Sequence, residues 1–198
     1  TASRASHAQK VGWYGGYKCF VMPTHVIGRM SGQKTILPPK TDVSDHNRLK
    51  PMKGSRKAWL ASVGRSAQHS SLIVVAICAA LAAPLLKIMN LSSFTLYTHG
   101  KSRAGKSSAL LAGASVIGFR QESDLPNFRG TETALEEIPA AFNDMFLPIN
   151  EIGLLKGTAA QRYQALADLT YGIAENRGKA LSLRARSEHD RAKPEWLC

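Results

Sequence analysis

The chain has 198 residues, of which 44% are hydrophobic, and its formal net charge is +12. This length and apolar content predict one sizeable core, with room for a small appended unit. The three cysteines, Cys19, Cys78 and Cys198, are odd in number and far apart. Their spacing argues against a disulfide framework and against a zinc site, and it favours a reducing, cytoplasmic setting.

The positive charge is concentrated outside the middle of the chain. Residues 1–60 contain 11 Lys/Arg and 2 Asp/Glu, a balance of +9, whereas residues 94–176 contain 7 and 9, a balance of −2. Residues 177–198 contain 6 and 3, a balance of +3. A nearly neutral core between basic segments indicates a nucleic-acid partner. The alternatives are a merely soluble basic surface and contact with an acidic part of a longer protein.

Residues 1–57 are predicted to form a basic, β-rich N-terminal region that ends in a linker. Two short strands are expected around a turn at Gly15-Gly16. Further short strand candidates follow as far as Leu37. The Pro38-Pro39 pair and the basic run from Arg48 to Lys57 are typical of an exposed linker.

Two helices are predicted next. Ser55 is a candidate N-cap for a helix from about Arg56 to Ala67. The uncharged run from Leu72 to Leu86 predicts a fully buried helix, because it is shorter than the ~18–20 residues that span a bilayer. We therefore expect no membrane association.

A glycine-rich stretch, GKSRAGKS, fits the phosphate-binding pattern G-x-x-x-x-G-K-[ST]. It lies between a predicted strand over residues 93–99 and a predicted helix over residues 107–117, so that backbone N–H groups and the helix dipole would face an anion. The pattern assigns Lys106 to the β- and γ-phosphates and the Ser107 hydroxyl to Mg²⁺. A chance glycine turn is the alternative. The predicted nucleotide-binding residues are Gly100, Lys101, Ser102, Arg103, Ala104, Gly105, Lys106, Ser107 and Ser108.

Three further elements complete the predicted fold. A capping box at residues 133–136 predicts a helix to about Phe142, residues 145–149 predict a buried strand, and apolar spacing predicts a helix over about 158–175. The alternation of strands and helices predicts an α/β fold, with a P-loop NTPase core and a largely parallel sheet over residues 58–198. The basic β-rich region and a helical segment would precede this core.

The end of the strand predicted over residues 145–149 is a candidate second half of the site. Glu151 would orient or deprotonate the attacking water, and Asn150 would accept a hydrogen bond from a Mg²⁺-bound water. Asn150 occupies the position that an aspartate normally holds, so the cation would be held less firmly. Pro148 would also remove a ladder N–H from a central strand. An ordinary strand followed by a polar turn is the alternative.

Several segments, in the expected order, resemble the helicase-like P-loop ATPase domain known as domain of unknown function nine-twenty-seven. This domain occurs in bacterial, prophage and mobile-element proteins that are described as primase-helicase-like. The family usually has Asp-Glu where this chain has Asn150-Glu151, and its next core strand would begin near Trp196. We therefore expect a core that is truncated at its C-terminus. The resemblance is carried by Gly12-Trp13, Phe20 to Pro23, Trp59, Leu72 to Leu86, Phe94 to Gly118, Phe128 to Thr131, Leu135-Glu136, Asn143-Asp144, Tyr171-Gly172 and Asn176 to Lys179.

The resemblance implies the ATP-binding core of a helicase-like ATPase that acts on DNA in phage or mobile-element replication, with ATP and Mg²⁺ as cofactors. Lys106 and Glu151 would be catalytic, and Ser107 and, through water, Asn150 would contact the metal. Arg177 and Lys179 are candidates for contacts with phosphate in trans or with DNA, and the alternative is that they only complement the C-terminus of the preceding helix. The implied partners are single-stranded or forked DNA and further copies of the chain in a homo-oligomeric ring.

Two other functions are compatible with these residues. Asn150 and Pro148 motivate a nucleotide-binding module that binds DNA but does not hydrolyse ATP. A small-molecule kinase is the third candidate. The missing acceptor-site signature and the flanking positive charge argue against it.

Overall fold

The computed structural model describes residues 4–30, 34–38, 54–127, 138–139, 141–151, 154 and 157–174. Its strands lie in the N-terminal region and form two small sheets. One is parallel and pairs the first strand with the fifth, and the other is an antiparallel meander of the second, third and fourth. The five strands are β1 (Arg4–His7), β2 (Gly12–Tyr14), β3 (Cys19–Val21), β4 (Val26–Gly28) and β5 (Lys34–Leu37).

The predicted hairpin around Gly15-Gly16 is confirmed. Both glycines have positive φ, 62° and 65°, which glycine adopts without a steric cost. Across the hairpin Trp13 pairs with Phe20. Their rings pack edge to face, with the ring centroids 4.9 Å apart. The indole N–H of Trp13 also donates to the Pro84 carbonyl at 2.7 Å. The hairpin therefore docks on the apolar helix that contains Pro84.

The helices follow in the second part of the chain. Ser55 caps the first of them as predicted, because its Oγ accepts from the backbone N–H of Ala58 at 3.2 Å. This helix continues through a π-helical turn, Leu60–Gly64, into the second. A 3-10 turn lies at Glu122–Asp124. The described α-helices are α1 (Arg56–Trp59), α2 (Arg65–Ala67), α3 (Ser71–Ile88), α4 (Lys106–Ser115) and α5 (Ala159–Ala174).

One hydrophobic cluster joins the N-terminal meander to α4 and to residues 138 and 141–145. The meander and its flanks contribute Val11, Phe20 and Met22, and α4 contributes Ala114. The β-rich region and the helix after the glycine loop thus share a core, while a domain boundary at residue 57 stays a prediction. The other buried members are Phe119, Leu125, Ile138, Ala141, Phe142 and Met145.

Helix α3 packs on α4 through small side chains. Its buried residues are Ala79, Ala80 and Ala83, and the larger side chains of α3, such as Leu81 and Leu85, are about half exposed. The prediction of a fully buried helix is therefore wrong, because a stripe of alanines forms the packed face. Within the described part of the chain, α3 is long and apolar enough to cross a bilayer, with a mean hydropathy of 2.3 over 18 residues. One such helix is weak evidence, and the absence of membrane association stays a prediction.

The two strands predicted to flank the site are not formed. Residues 91–100 and residues 146–149 have no regular secondary structure, and Phe94, Leu96 and Tyr97 are 51–60% exposed. Aromatic and β-branched residues form a strand only when a neighbouring strand pairs with them. Among the described residues, no strand pairs with either segment. A parallel sheet around the glycine loop, and with it the P-loop NTPase core, stays a prediction.

Candidate functional site

The glycine-rich loop, residues 100–105, is exposed and opens directly into α4. Gly100, Arg103 and Gly105 have positive φ values of 140°, 62° and 80°. Among the described residues outside the immediate chain neighbours, no atom lies within 4 Å of the Cβ position at Gly100 or Gly105. The backbone conformation, rather than a close neighbour, therefore requires glycine at these two positions.

Lys106 folds back over this loop from the first turn of α4. Its Nζ donates to the carbonyl oxygen of Gly100 at 3.0 Å and to that of Lys101 at 2.7 Å. Carbonyl oxygens are neutral acceptors, so these bonds position the ammonium group without cancelling its charge. The loop also carries Lys101 and Arg103, and the three side chains give it a strongly positive character.

The N-terminus of α4 leaves several backbone donors without an intrahelical partner. The first bond of the helical ladder runs from the N–H of Ala109 to the carbonyl of Gly105 at 2.9 Å. The N–H groups of Lys106, Ser107 and Ser108 precede it. No side chain caps this end, and its first turn contains no acidic residue. The positive end of the helix dipole is therefore uncompensated, an arrangement that suits an anion.

The other end of α4 is firmly anchored. Ala112, Gly113 and Ala114 are buried, and the indole N–H of Trp59 donates to Ser115 Oγ at 2.8 Å. The loop is thus mounted on a helix whose far end is fixed by packing.

The predicted acidic segment lies beside a different part of the chain. The backbone N–H of Asn150 donates to the Pro126 carbonyl at 2.8 Å, and its side-chain Nδ2 donates to Glu122 Oε1 at 2.9 Å. Glu151 is exposed and has a positive φ of 58°. The hydrogen bonds of Lys106 and those of Asn150 have no residue in common. The described contacts therefore do not bring the two predicted halves of the site together.

Sequence reasoning missed Glu122 as a partner of Asn150. The two residues are 28 positions apart and lie in irregular segments, so that no periodicity links them. The Asn143-Asp144 pair entered only through the family resemblance. In the structure both residues are buried: Asp144 Oδ2 accepts from the N–H of Trp13 at 3.0 Å, and Asn143 Nδ2 donates to the Val11 carbonyl at 3.0 Å. Burial raises the pKa of Asp144, although the Trp13 N–H and the charge of Lys87 oppose this shift.

Some predicted residues lie outside the described part of the chain. Arg177 and Lys179 are among them, as is most of the helix predicted from residue 133 to Phe142. Within the described part, no group of three or more His, Cys, Asp or Glu side chains could hold a metal ion.

Comparison with known proteins gives one match. The model of the family described as domain of unknown function (DUF927) matches residues 1–192. Neither the curated proteins nor the solved structures contain a match to the chain. Because the family model covers nearly the whole sequence, the chain belongs to the DUF927 family.

Proposed function

We propose that the chain is the nucleotide-binding core of a helicase-like P-loop ATPase that acts on DNA. The observation that carries the proposal is the position of Lys106, held by the carbonyls of Gly100 and Lys101 at an uncapped helix N-terminus free of acidic residues. A lysine held in this way can exchange neutral carbonyls for phosphate oxygens, which are stronger acceptors. The exposed loop supports the same role, since nothing in the described part of the chain contacts the Cβ positions of Gly100 and Gly105.

Each residue of the loop has a separate task in this proposal. The backbone N–H groups at the start of α4 bind phosphate oxygens, and the Lys106 ammonium neutralises charge that develops on the β- and γ-phosphates. The Ser107 hydroxyl is a ligand for the cation. Bound Mg-ATP would supply the phosphoryl group and the divalent charge. Glu151 would orient or deprotonate the attacking water, and Asn150 would accept a hydrogen bond from a water on the cation.

DNA is proposed as the partner because exposed cationic side chains lie on the helical segment that is hydrogen-bonded to the loop-bearing helix. Arg56, Lys57 and Arg65 are exposed on α1 and α2. Trp59, in the same helix, is bonded to the C-terminal end of α4. Cations on this segment could therefore follow the phosphate backbone of a nucleic acid and remain coupled to the nucleotide loop.

The second candidate is a nucleotide-binding module that does not hydrolyse ATP. It is favoured by a specific observation: the hydrogen bonds of Asn150 lead to Pro126 and Glu122 rather than to the loop, and Glu151 is exposed. In this case ATP would bind at the loop without turnover.

Phosphate release from Mg-ATP, measured with and without single-stranded DNA, tests the proposal. We expect release that DNA stimulates, and a loss of about 10²-fold or more in Lys106→Ala. Arg162→Ala is the matched control, because Arg162 is a cationic side chain on α5, outside the glycine-rich loop. ATP binding without release would support the second candidate. Release that is unchanged in Lys106→Ala would contradict the proposal.

A further inference from the structure

The exposed residues of α3 recur at intervals of three and four along the helix. This is the spacing of the a and d positions of a heptad written abcdefg, which form the contact line of a coiled coil. Ser71 occupies the first of these positions, and Val75, at an e position, is the one exposed residue of α3 outside the spacing. The apolar a and d residues, named here the α3 seam, are Val74, Cys78, Leu81, Leu85 and Ile88.

The opposite face of α3 is already occupied within the chain. Its stripe of alanines is buried, and the carbonyl of Ala76 lies against Gly113 of α4. These alanines fall at b, c and f positions of the same heptad, on the side of the helix away from a and d. Leu81 and Leu85 of the α3 seam are 55% and 48% exposed. The larger apolar side chains of α3 therefore lack a cover in the described part of the chain.

The composition of the α3 seam suits a second copy of the same helix. Residues 71–86 contain no charged side chain. The e and g positions beside a seam select its partner when they carry charges, and here they are Val75, Ile77, Ala82 and Pro84. Two α3 helices therefore meet without a like-charge contact. A bilayer surface needs apolar area but no three-and-four spacing, so the spacing itself favours a helix as the occupant.

We infer that the α3 seam is the interface of a homodimer, in which α3 of one copy packs against α3 of a second copy. The helix is continuous over 18 residues, through Pro84, so the seam keeps its register along its whole length. The same surface meets itself about a twofold axis, and the assembly closes after two copies, unlike a ring. The inference goes beyond the proposed function, because no residue of the glycine-rich loop takes part in the interface.

Sedimentation equilibrium of the chain without nucleotide tests the dimer. We expect a mass that rises with protein concentration from 21.5 kDa toward twice that value. Leu81→Glu places a carboxylate from each copy in an apolar interface, so it should raise the dissociation constant by about 10²-fold or more. Tyr163→Glu is the matched control, because Tyr163 is 74% exposed on α5, a different helix. A wild type that stays monomeric, or a folded Leu81→Glu that dimerises like the wild type, would overturn the inference.

The same variants distinguish a second copy from a lipid surface. We expect the wild type to remain in the supernatant when it is centrifuged with vesicles of neutral phosphatidylcholine. If the wild type is monomeric and sediments with the vesicles, and Leu81→Glu abolishes this binding while Tyr163→Glu does not, the seam would belong to a bilayer and the inference would be overturned.

Cross-linking through cysteine tests the interface without a charge that could unfold the chain. Leu81→Cys, with the exposed Cys78 retained, provides thiols at neighbouring a and d positions. Parallel helices bring like positions together and antiparallel helices bring a to d, so two copies can form a disulfide in either orientation. Diamide accepts the two electrons and two protons that the thiols release. We expect a covalent dimer in Leu81→Cys. Tyr163→Cys combined with Cys78→Ser is the control, and cross-linking of Leu81→Cys no greater than this control would overturn the inference.

Discussion

The two ends of α4 lie in opposite environments. At the N-terminal end, residues 100–105 are exposed, the backbone has positive φ at three positions, and no side chain caps the helix. At the C-terminal end, Ala114 is fully buried and the neighbouring residues pack against α3 and Trp59. One helix thus has packing at one end and unpaired donors, the proposed anion site, at the other. Substitutions at the C-terminal end should therefore change the free energy of unfolding, and substitutions at the N-terminal end should change the binding of ATP.

The largest effect on stability is expected at Gly113, in the anchored half. A Cβ at this position would lie 2.7 Å from the carbonyl oxygen of Ala76 on α3. Because both atoms are held by helices, Gly113→Ala must push α3 and α4 apart, and we expect a loss of about 1–3 kcal/mol in the free energy of unfolding by urea.

Gly64→Ala is the matched control for this prediction. The nearest atom to a Cβ at Gly64 is Leu60 Cδ2 at 3.4 Å, an ordinary contact, and its backbone is helical. We expect a gain of about 0.4–1 kcal/mol, because alanine restricts the unfolded chain. If Gly113→Ala were stabilising as well, the close approach of α3 and α4 would be refuted.

The next effect is expected at Trp59, which connects α1 to the end of α4. Trp59→Phe removes the N–H that donates to Ser115 Oγ and keeps most of the aromatic surface. We expect a loss of about 0.5–1.5 kcal/mol in urea unfolding. Ser115→Ala in the same background should add little to this loss if the hydrogen bond is the source, whereas fully additive losses would show that it is not.

A smaller effect, dependent on pH, is expected at Asp144. Burial raises the pKa of this carboxyl above its ordinary value, so the folded protein favours the protonated form. The stability that Asp144 contributes is therefore fully present below the pKa that its carboxyl has in the unfolded chain. This stability is lost as the pH rises through the higher pKa of the carboxyl in the folded protein. Asp144→Asn removes this titration and keeps an oxygen that can accept from Trp13.

We expect the unfolding free energy of Asp144→Asn, relative to the wild type, to be higher at pH 7 than at pH 4. Urea unfolding at the two pH values measures this difference. Asp168→Asn is the control, because Asp168 is exposed on α5. If the unfolding free energy of Asp144→Asn, relative to the wild type, were the same at pH 4 and pH 7, the argument that burial raises the pKa of Asp144 would be contradicted.

Features that depend on neighbouring residues in the chain could be predicted from the sequence. The Ser55 cap, the turn at Gly15-Gly16 and the start of a helix at the glycine loop each follow from a few adjacent residues. The strand predicted over residues 93–99 could not be judged in this way, because it requires a partner strand elsewhere. The exposure of α3 was missed for a related reason: apolar composition does not show which face meets α4.

The site shows the same division. The loop residues and Lys106 are predicted from a local pattern, and both of its glycines have positive φ in the structure. The partner of Asn150 is a residue 28 positions away, and the contact depends on a backbone bridge between two irregular segments. No spacing rule identifies such a contact, so the pairing of Glu122 with Asn150 could only come from the structure.

The smallest effect on stability, and the largest on function, is expected at Lys106. Its hydrogen bonds lie in an exposed loop, so that Lys106→Ala should change the free energy of unfolding by less than about 0.5 kcal/mol. The most direct test of the account is therefore calorimetric binding of Mg-ATP to the wild type, to Lys106→Ala and to Arg162→Ala, a change on α5 outside the loop. The account predicts that the wild type and Arg162→Ala bind, and that Lys106→Ala, although folded, does not. Equal binding by Lys106→Ala, or no binding by the folded wild type, would contradict it.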